Sequence, residues 1–148
     1  MPTVLRIVET LALAVWLGSI VFFSFLTAPA LFRTLAPADA ARAVRAIFPR
    51  YYLVGALCGG ALAAVSLIRG LSWAWFAMAG ESLALFGVLT VLSLLARYWL
   101  TPAINAARDA GAAGQVQFGR LHRLSVQLNA LVLLLLVAYA VWMGVRGW

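Results

Sequence analysis

The sequence predicts an all-α integral membrane protein in which four transmembrane helices form two parallel-repeated helical hairpins, with short interfacial helices in the two long connections. Of its 148 residues, 66% are apolar and 10% are charged, whereas soluble proteins average about 45–50% apolar and 25% charged residues. One span takes roughly 20 apolar residues. The chain is therefore expected to form one membrane domain, residues 1–148, with no separate soluble domain.

Long apolar runs define the spans. They cover residues 7–32, 51–68, 73–100 and 124–145. None has the alternating polarity of a barrel strand, which is about ten residues long, and a helix satisfies its own backbone hydrogen bonds in lipid. The first run is not expected to be a cleaved signal peptide, because it exceeds the ~7–15 apolar residues of a signal core and has Glu9 near its start.

The joints between the runs also have recognisable patterns. The stretch APADAARAVRAIFPR, residues 36–50, has a proline and an aspartate where a first helical turn favours them, and predicts a short interfacial helix. After the third run, TPAINAARDAGAAGQ predicts a second short helix that begins at Pro102 and ends at Gly111 and Gly114. Between the second and third runs, RGLSW predicts a tight turn.

The arginines indicate an orientation. Eight flank the first and third connections: Arg33, Arg42, Arg45, Arg50, Arg97, Arg108, Arg120 and Arg123. Three lie on the other side: Arg6, Arg69 and Arg146. The positive-inside rule predicts that both long connections are cytoplasmic and both termini lie outside. The exclusive use of arginine, with abundant Ala and Gly, suggests a GC-rich bacterial genome and hence the bacterial inner membrane.

The net charge of +7 also bears on partners. The arginines flank the membrane and no soluble domain presents a groove, so we expect anionic lipid headgroups, and not nucleic acid, as their partner.

An internal repeat supports the hairpin arrangement. ETLAL at residues 9–13 matches ESLAL at 81–85, LTAPAL at 26–31 matches LTPAI at 100–104, and FPRYY at 48–52 matches FGRLH at 118–122. Two spans in each copy imply parallel repeats about an axis along the membrane normal. The only two glutamates, Glu9 and Glu81, then share one depth near the outer face.

Two interpretations of these glutamates remain open. An ionisable group inside a span favours a proton, ion or substrate pathway. Alternatively the pair is structural, with Glu9 bound to Arg6 and Glu81 bound to Arg69 or Arg146. We favour structural pairs, with a polar pathway as the interpretation to test.

A second polar group opens the fourth span. His122, Ser125 and Asn129 follow the spacing i, i+3, i+7 and share one helical face. One interpretation of this stripe, which we do not favour, is a small-ligand or metal site, with haem or a transition metal at His122 as the cofactor option. The alternative is that Ser125 and Asn129 hydrogen-bond neighbouring helices while His122 lies at the headgroups. The stripe and Glu81 are separated by most of a ~30 Å hydrocarbon layer and cannot share one site.

Other chemistry is sparse. The sequence has no common catalytic motif, so we do not expect an enzyme. Cys58 is the only cysteine and can form neither a disulfide nor a thiolate cluster within the chain.

Three stretches carry a family resemblance. APALF at 28–32, FPRYY at 48–52 and RLHRLSVQLN at 120–129 resemble the bacterial relatives of transmembrane protein 205, a domain of unknown function. The resemblance implies a four-helix layout similar to the membrane part of copper-resistance proteins, and its eukaryotic relatives are associated with platinum-drug resistance. The residues that match its motifs are Pro29, Phe48, Pro49, His122, Ser125 and Asn129. Arg123 departs from the pattern, because some members have glycine after the histidine.

Three classes of function follow. The first is a transporter or a ligand- or metal-binding membrane protein linked to metal or drug tolerance, and it predicts a continuous polar cavity between the Glu81 and His122 levels. The second is a haem or metal protein with its cofactor at His122. The third is a structural or assembly partner in the membrane, which predicts a dry bundle. We favour the first.

Oligomeric state is a separate question. Four short spans enclose little volume, so a homodimer is physically reasonable. Gly55 and Gly59 have GxxxG spacing, but packing between the hairpins of one subunit explains that spacing equally well.

Overall fold

The computed structural model describes residues 3–72 and 76–146, and nearly all of them are helical. The helices are α1 (Thr3–Val21), α2 (Ala28–Thr34), α3 (Pro37–Ser72), α4 (Phe76–Leu95), α5 (Thr101–Asp109) and α6 (Gln115–Arg146). A first π-helical segment, Phe22–Thr27, joins α1 to α2, and a second, Ala96–Leu100, joins α4 to α5. A short 3₁₀ turn, Gly111–Gly114, precedes α6.

Four stretches are long and apolar enough to cross a membrane, which confirms the all-α, multi-pass prediction. They are Thr3–Thr34, Pro37–Leu71, Gly80–Asp109 and Gly111–Val145. Each has 30–35 residues, or about 45–52 Å of helix, and so exceeds the ~30 Å hydrocarbon layer. The start of the predicted third span, residues 73–75, lies outside the described residues.

Two predicted boundaries were wrong. The stretch 36–50 is not a separate short helix, because α3 continues through Pro49 to Ser72. An internal proline removes one backbone hydrogen bond, a loss that packed neighbours and local adjustments compensate in membrane helices. The RGLSW stretch was expected to be a turn, but its first four residues belong to α3 and Trp73 lies outside the described residues.

The predicted joint after the third apolar run agrees better with the structure. Pro102 lies in the first turn of α5, and the chain turns after Asp109 at Gly111, whose φ of 60° favours glycine.

The two π segments end two residues before Pro29 and Pro102. The N–H of Ala28 bonds to the carbonyl of Phe23, five residues earlier, and the N–H of Thr101 bonds to the carbonyl of Ala96 in the same way. A proline lacks an N–H and its ring clashes with the carbonyl four residues back. The wider turn avoids that clash, so the LTAPA and LTPAI stretches share one local structure.

Small residues let α3 lie close to α1 and α4. A Cβ atom added at Gly55 would lie 2.9 Å from Nε1 of Trp16, and one added at Gly59 would lie 2.5 Å from Oγ1 of Thr90. The glycine pair therefore serves packing inside one chain. Around this contact lies a buried apolar layer that includes Leu13, Trp16, Ile20, Leu62, Phe86, Leu89 and Leu136.

Candidate functional site

Polar side chains are concentrated at the two ends of the bundle. We call Glu9, Arg69 and Tyr139 the carboxylate cluster, and Ser24, Tyr51, Tyr52, Ser125 and Asn129 the tyrosine cluster. Along α1 and the first π segment, the two clusters are about 22 Å apart at 1.5 Å per residue. The buried apolar layer lies between them.

The carboxylate cluster joins three helices through Glu9, which is only 1% exposed. Arg69 of α3 donates from Nη1 to Oε1 at 2.9 Å and from Nη2 to Oε2. Tyr139 of α6 donates its hydroxyl to Oε1 at 2.6 Å. This is a paired, hydrogen-bonded carboxylate of the kind that a low-dielectric interior tolerates.

The predicted partner of Glu9 was wrong, and so was Arg69 as the partner of Glu81. Glu9 pairs with Arg69 and not with Arg6, because its side chain faces α3. Glu81 is exposed on α4 and makes no hydrogen bond or ion pair with the described residues. The side chain of Arg146 lies outside the described set. Similar sequence around the two glutamates therefore does not give them similar environments.

The tyrosine cluster links α3, α6 and the first π segment. The hydroxyl of Tyr51 donates to Oδ1 of Asn129, whose Nδ2 donates to Oγ of Ser24 at 3.0 Å. The hydroxyls of Tyr52 and Ser125 share a hydrogen bond of 3.1 Å. Ser125 and Asn129 thus bond across helices, as the packing alternative for this stripe expected.

Aromatic rings also pack against one another at the tyrosine cluster. Phe48 packs edge-on against Phe23, with ring centroids 5.2 Å apart, and against Tyr51 at 5.9 Å. Such edge-to-face pairs stabilise beyond the area they bury. The FPRYY stretch and the stripe of α6 therefore meet at the first π segment, although about 75 residues separate them.

A cavity of about 300 Å³ lies beside the tyrosine cluster. Its apolar lining residues are Phe23, Ala28, Phe32, Val44, Phe48, Ile104 and Val126. Its polar lining residues are Ser24, Arg45, Thr101, Asn105, Arg108, His122, Ser125 and Asn129. The lining includes two guanidinium groups, one imidazole and no carboxylate.

The cationic residues of the lining have defined neighbours. Arg45 donates to Oδ1 of Asp109 at 2.6 Å. The guanidinium of Arg108 lies 4.7 Å from the ring centre of Phe118. His122 is exposed and stacks on the same ring, with centroids 5.7 Å apart and planes inclined by 8°.

The structure brings some predicted site residues together and separates others. His122, Ser125 and Asn129 share the cavity, whereas Glu9 and Glu81 do not line it. Of the predicted prolines, Pro29 and Pro102 follow the two π segments beside lining residues Ala28 and Thr101. Pro49 lies inside α3, where its carbonyl accepts a hydrogen bond from Arg97.

Sequence reasoning missed several participants. They are Ser24, Arg45, Tyr51, Tyr52, Asn105 and Arg108 near the cavity, and Arg69 and Tyr139 at Glu9. The FPRYY stretch did contain a signal, because two adjacent hydroxyl-bearing rings in a span need polar partners.

Comparisons with known proteins identify a family of unknown function. The sequence profile of a domain of unknown function (DUF4149) matches residues 11–113. A protein from Aquifex aeolicus (strain VF5), described as "Uncharacterized protein", is 31% identical over 131 residues, which cover 86% of this chain and 89% of that protein. No solved structure gives a significant match.

Proposed function

The chain belongs to the family described as domain of unknown function DUF4149, and we propose that it is a ligand-binding membrane protein whose site is the cavity beside the tyrosine cluster. The observation that carries this proposal is the meeting of the APALF, FPRYY and His-x-x-Ser-x-x-x-Asn stretches around one cavity of about 300 Å³. That volume lies at the lower end of the range of about 300–1,000 Å³ typical of small-ligand pockets.

The cavity walls are held by hydrogen bonds. Tyr51, Asn129 and Ser24 connect α3, α6 and the first π segment on one side of the cavity. On the other side, Arg45 of α3 bonds to Asp109 of α5. Walls that are fixed in this way favour a pocket that is largely formed before its ligand arrives, as most small-molecule sites are.

The separation of the polar clusters favours binding over passage through the bundle. A transport path joining the two ends needs polar or open space along its length. Trp16, Leu62 and Leu136 are at most 3% exposed and lie between the clusters. The cavity lining contains neither Glu9 nor Glu81.

The charge of the lining disfavours a metal cation. His122 shares the cavity with Arg45 and Arg108, and two guanidinium groups repel a further positive charge. Soft and borderline metals also favour thiolate and several imidazole ligands. An anion fits this lining better than haem iron or a transition metal.

The parallel repeat of two hairpins stays part of this proposal. Its support is the matched pair of π segments before Pro29 and Pro102. The proposed orientation places the cavity at the cytoplasmic side of a bacterial inner membrane, with the two joints at the interface near anionic headgroups.

Wider relationships are also proposals. Kinship with the relatives of transmembrane protein 205, and with the membrane part of copper-resistance proteins, stays a prediction. So does a homodimer, for which Gly55 and Gly59 offer no surface because they pack inside the chain.

A cavity-filling substitution tests ligand binding. Ala28 lines the cavity, whereas Ala30 is exposed on the same helix, so Ala28→Phe and Ala30→Phe form a matched pair. Native mass spectrometry of protein purified in mild detergent from its own membranes should show a one-to-one adduct in the wild type and in Ala30→Phe. We expect Ala28→Phe to lose it, and Val44→Phe is an independent filling variant. Equal adducts in all four proteins would contradict the proposal.

A further inference from the structure

We infer that the ligand of this cavity is an anionic amphiphile, with a compact phosphate or carboxylate head at Arg108, Arg45 and His122 and an apolar chain. The chain lies along the apolar wall of the cavity, which includes Phe32, Phe48 and Val126. This inference rests on the proposed function and adds the chemical class of the ligand to it. It combines the charge, the hydrogen-bonding groups and the exposure of the lining residues.

The charge of the lining is positive. Arg45 is paired with Asp109, which offsets its charge. Arg108 makes no ion pair within the described part of the chain, and its guanidinium lies over the ring of Phe118. An anion that enters the cavity would supply the missing counter-charge, and a low-dielectric surrounding strengthens that attraction.

The donors near Arg108 suit an oxyanion. A guanidinium presents its N–H groups in a planar fork that matches a phosphate or a carboxylate. Asn105, three residues before Arg108 on α5, lines the same cavity. His122 lines the same cavity and stacks on the ring of Phe118, over which the guanidinium of Arg108 also lies. These groups would bind the head and fix its orientation.

The apolar wall continues from the cavity to the outer surface of the bundle. Phe32 and Val126 line the cavity, yet they are 57% and 54% exposed. In a membrane such exposed apolar side chains face hydrocarbon. An apolar chain attached to a head at Arg108 can therefore run along this wall into the lipid. A fully polar anion would make no use of such a wall.

The volume sets the size of the bound part. About 300 Å³ holds a head and the first part of a chain, at about 30 Å³ for a group the size of a water molecule. The remainder of a longer chain would lie in the bilayer. Two sources share this chemistry, a phospholipid-type phosphate and a free fatty carboxylate, and the test below separates them.

The test is a titration of the purified protein, followed by native mass spectrometry. The probes are lysophosphatidylglycerol, dodecanoate and a neutral monoacylglycerol of matched chain length, with inorganic phosphate as a competitor. We expect one anionic probe to bind at least about tenfold more tightly than the monoacylglycerol, because a hydrogen bond to a charged group is worth about that factor. The anionic probe that binds more tightly shows whether the natural ligand carries a phospholipid-type phosphate or a fatty carboxylate.

Substitutions separate the contribution of the charged head to binding from that of the apolar chain. Arg108→Gln should weaken the preferred anionic probe about tenfold and leave the monoacylglycerol unchanged, and Arg45→Gln is the second variant if the first does not fold. Arg42→Gln is the charge-matched control, because Arg42 lies on α3 outside the lining and is paired with Asp39 at the surface.

The outcomes are distinguishable. If no probe is sensitive to Ala28→Phe, the proposed function fails together with this inference. If the monoacylglycerol binds as tightly as the anions and Arg108→Gln changes nothing, the inference fails and the ligand-binding function stands. If inorganic phosphate displaces the anionic probe at equal concentration, the apolar chain contributes nothing and an amphiphile is ruled out.

Discussion

The guanidinium of Arg69 binds both carboxylate oxygens of Glu9, and so ties α3 to α1 at the end of the bundle opposite the cavity. Tyr139 adds α6 to the same carboxylate. Because α1, α3 and α6 meet at one buried group, we interpret the carboxylate cluster as a structural contact that holds the three helices together.

Removing one partner of this pair should destabilise the protein. Arg69→Ala leaves the Glu9 carboxylate buried without its counter-charge, and the loss for such a pair is about 3 kcal/mol of unfolding free energy. Glu81→Gln is the control, since Glu81 is exposed and surface changes cost within about 0.5 kcal/mol. Reversible unfolding in mixed detergent micelles measures both. Equal stability of the two variants would contradict the structural role.

The hydroxyl of Tyr139 can be tested without disturbing its packing. Its ring lies edge-on to Phe86 at 4.7 Å, and Tyr139→Phe keeps that contact. The lost hydrogen bond to a carboxylate should lower the unfolding free energy by about 1.5–2 kcal/mol. Tyr98→Phe serves as the control because Tyr98 is 68% exposed. A loss of the same size in both variants would contradict a stabilising hydrogen bond from Tyr139 to Glu9.

Two adjacent glycines should respond in opposite ways to alanine. A Cβ at Gly59 would meet Thr90 and the ring of Trp16, so Gly59→Ala is expected to cost about 1–3 kcal/mol through overpacking. A Cβ at Gly60 meets nothing within 4 Å, so Gly60→Ala should gain about 0.5–1 kcal/mol from helix propensity. Unfolding measurements of both variants check the sign. A gain in Gly59→Ala would mean that α3 does not need this close approach.

The sequence predicted the helical membrane class because its apolar runs leave no other solution for the backbone in lipid. It also identified Ser125 and Asn129 as one stripe, since helical spacing is local information. It could not identify the partner of Glu9, because Arg69 is 60 residues away and only packing of α3 on α1 brings them together. The cavity was missed for the same reason: its walls come from four separate stretches.

The orientation can be tested by labelling introduced cysteines. In a Cys58→Ser background, Thr3→Cys and Ala113→Cys place single thiols at exposed positions on opposite ends of the bundle. We expect a membrane-impermeant maleimide to label Thr3→Cys in intact spheroplasts, and Ala113→Cys only after permeabilisation, because arginine-rich connections stay cytoplasmic. The reverse pattern would place the cavity at the outer side.

The most direct test of the proposed site is to map where a photoreactive lysophosphatidylglycerol, with a diazirine early in its chain, attaches in the membrane-embedded protein. We predict crosslinks near Phe32 and Val126, which line the cavity and reach its outer surface, and their loss in Ala28→Phe but not in Ala30→Phe. Crosslinks spread evenly over lipid-facing residues such as Val137 and Val141, unchanged by Ala28→Phe, would contradict an amphiphile in the cavity.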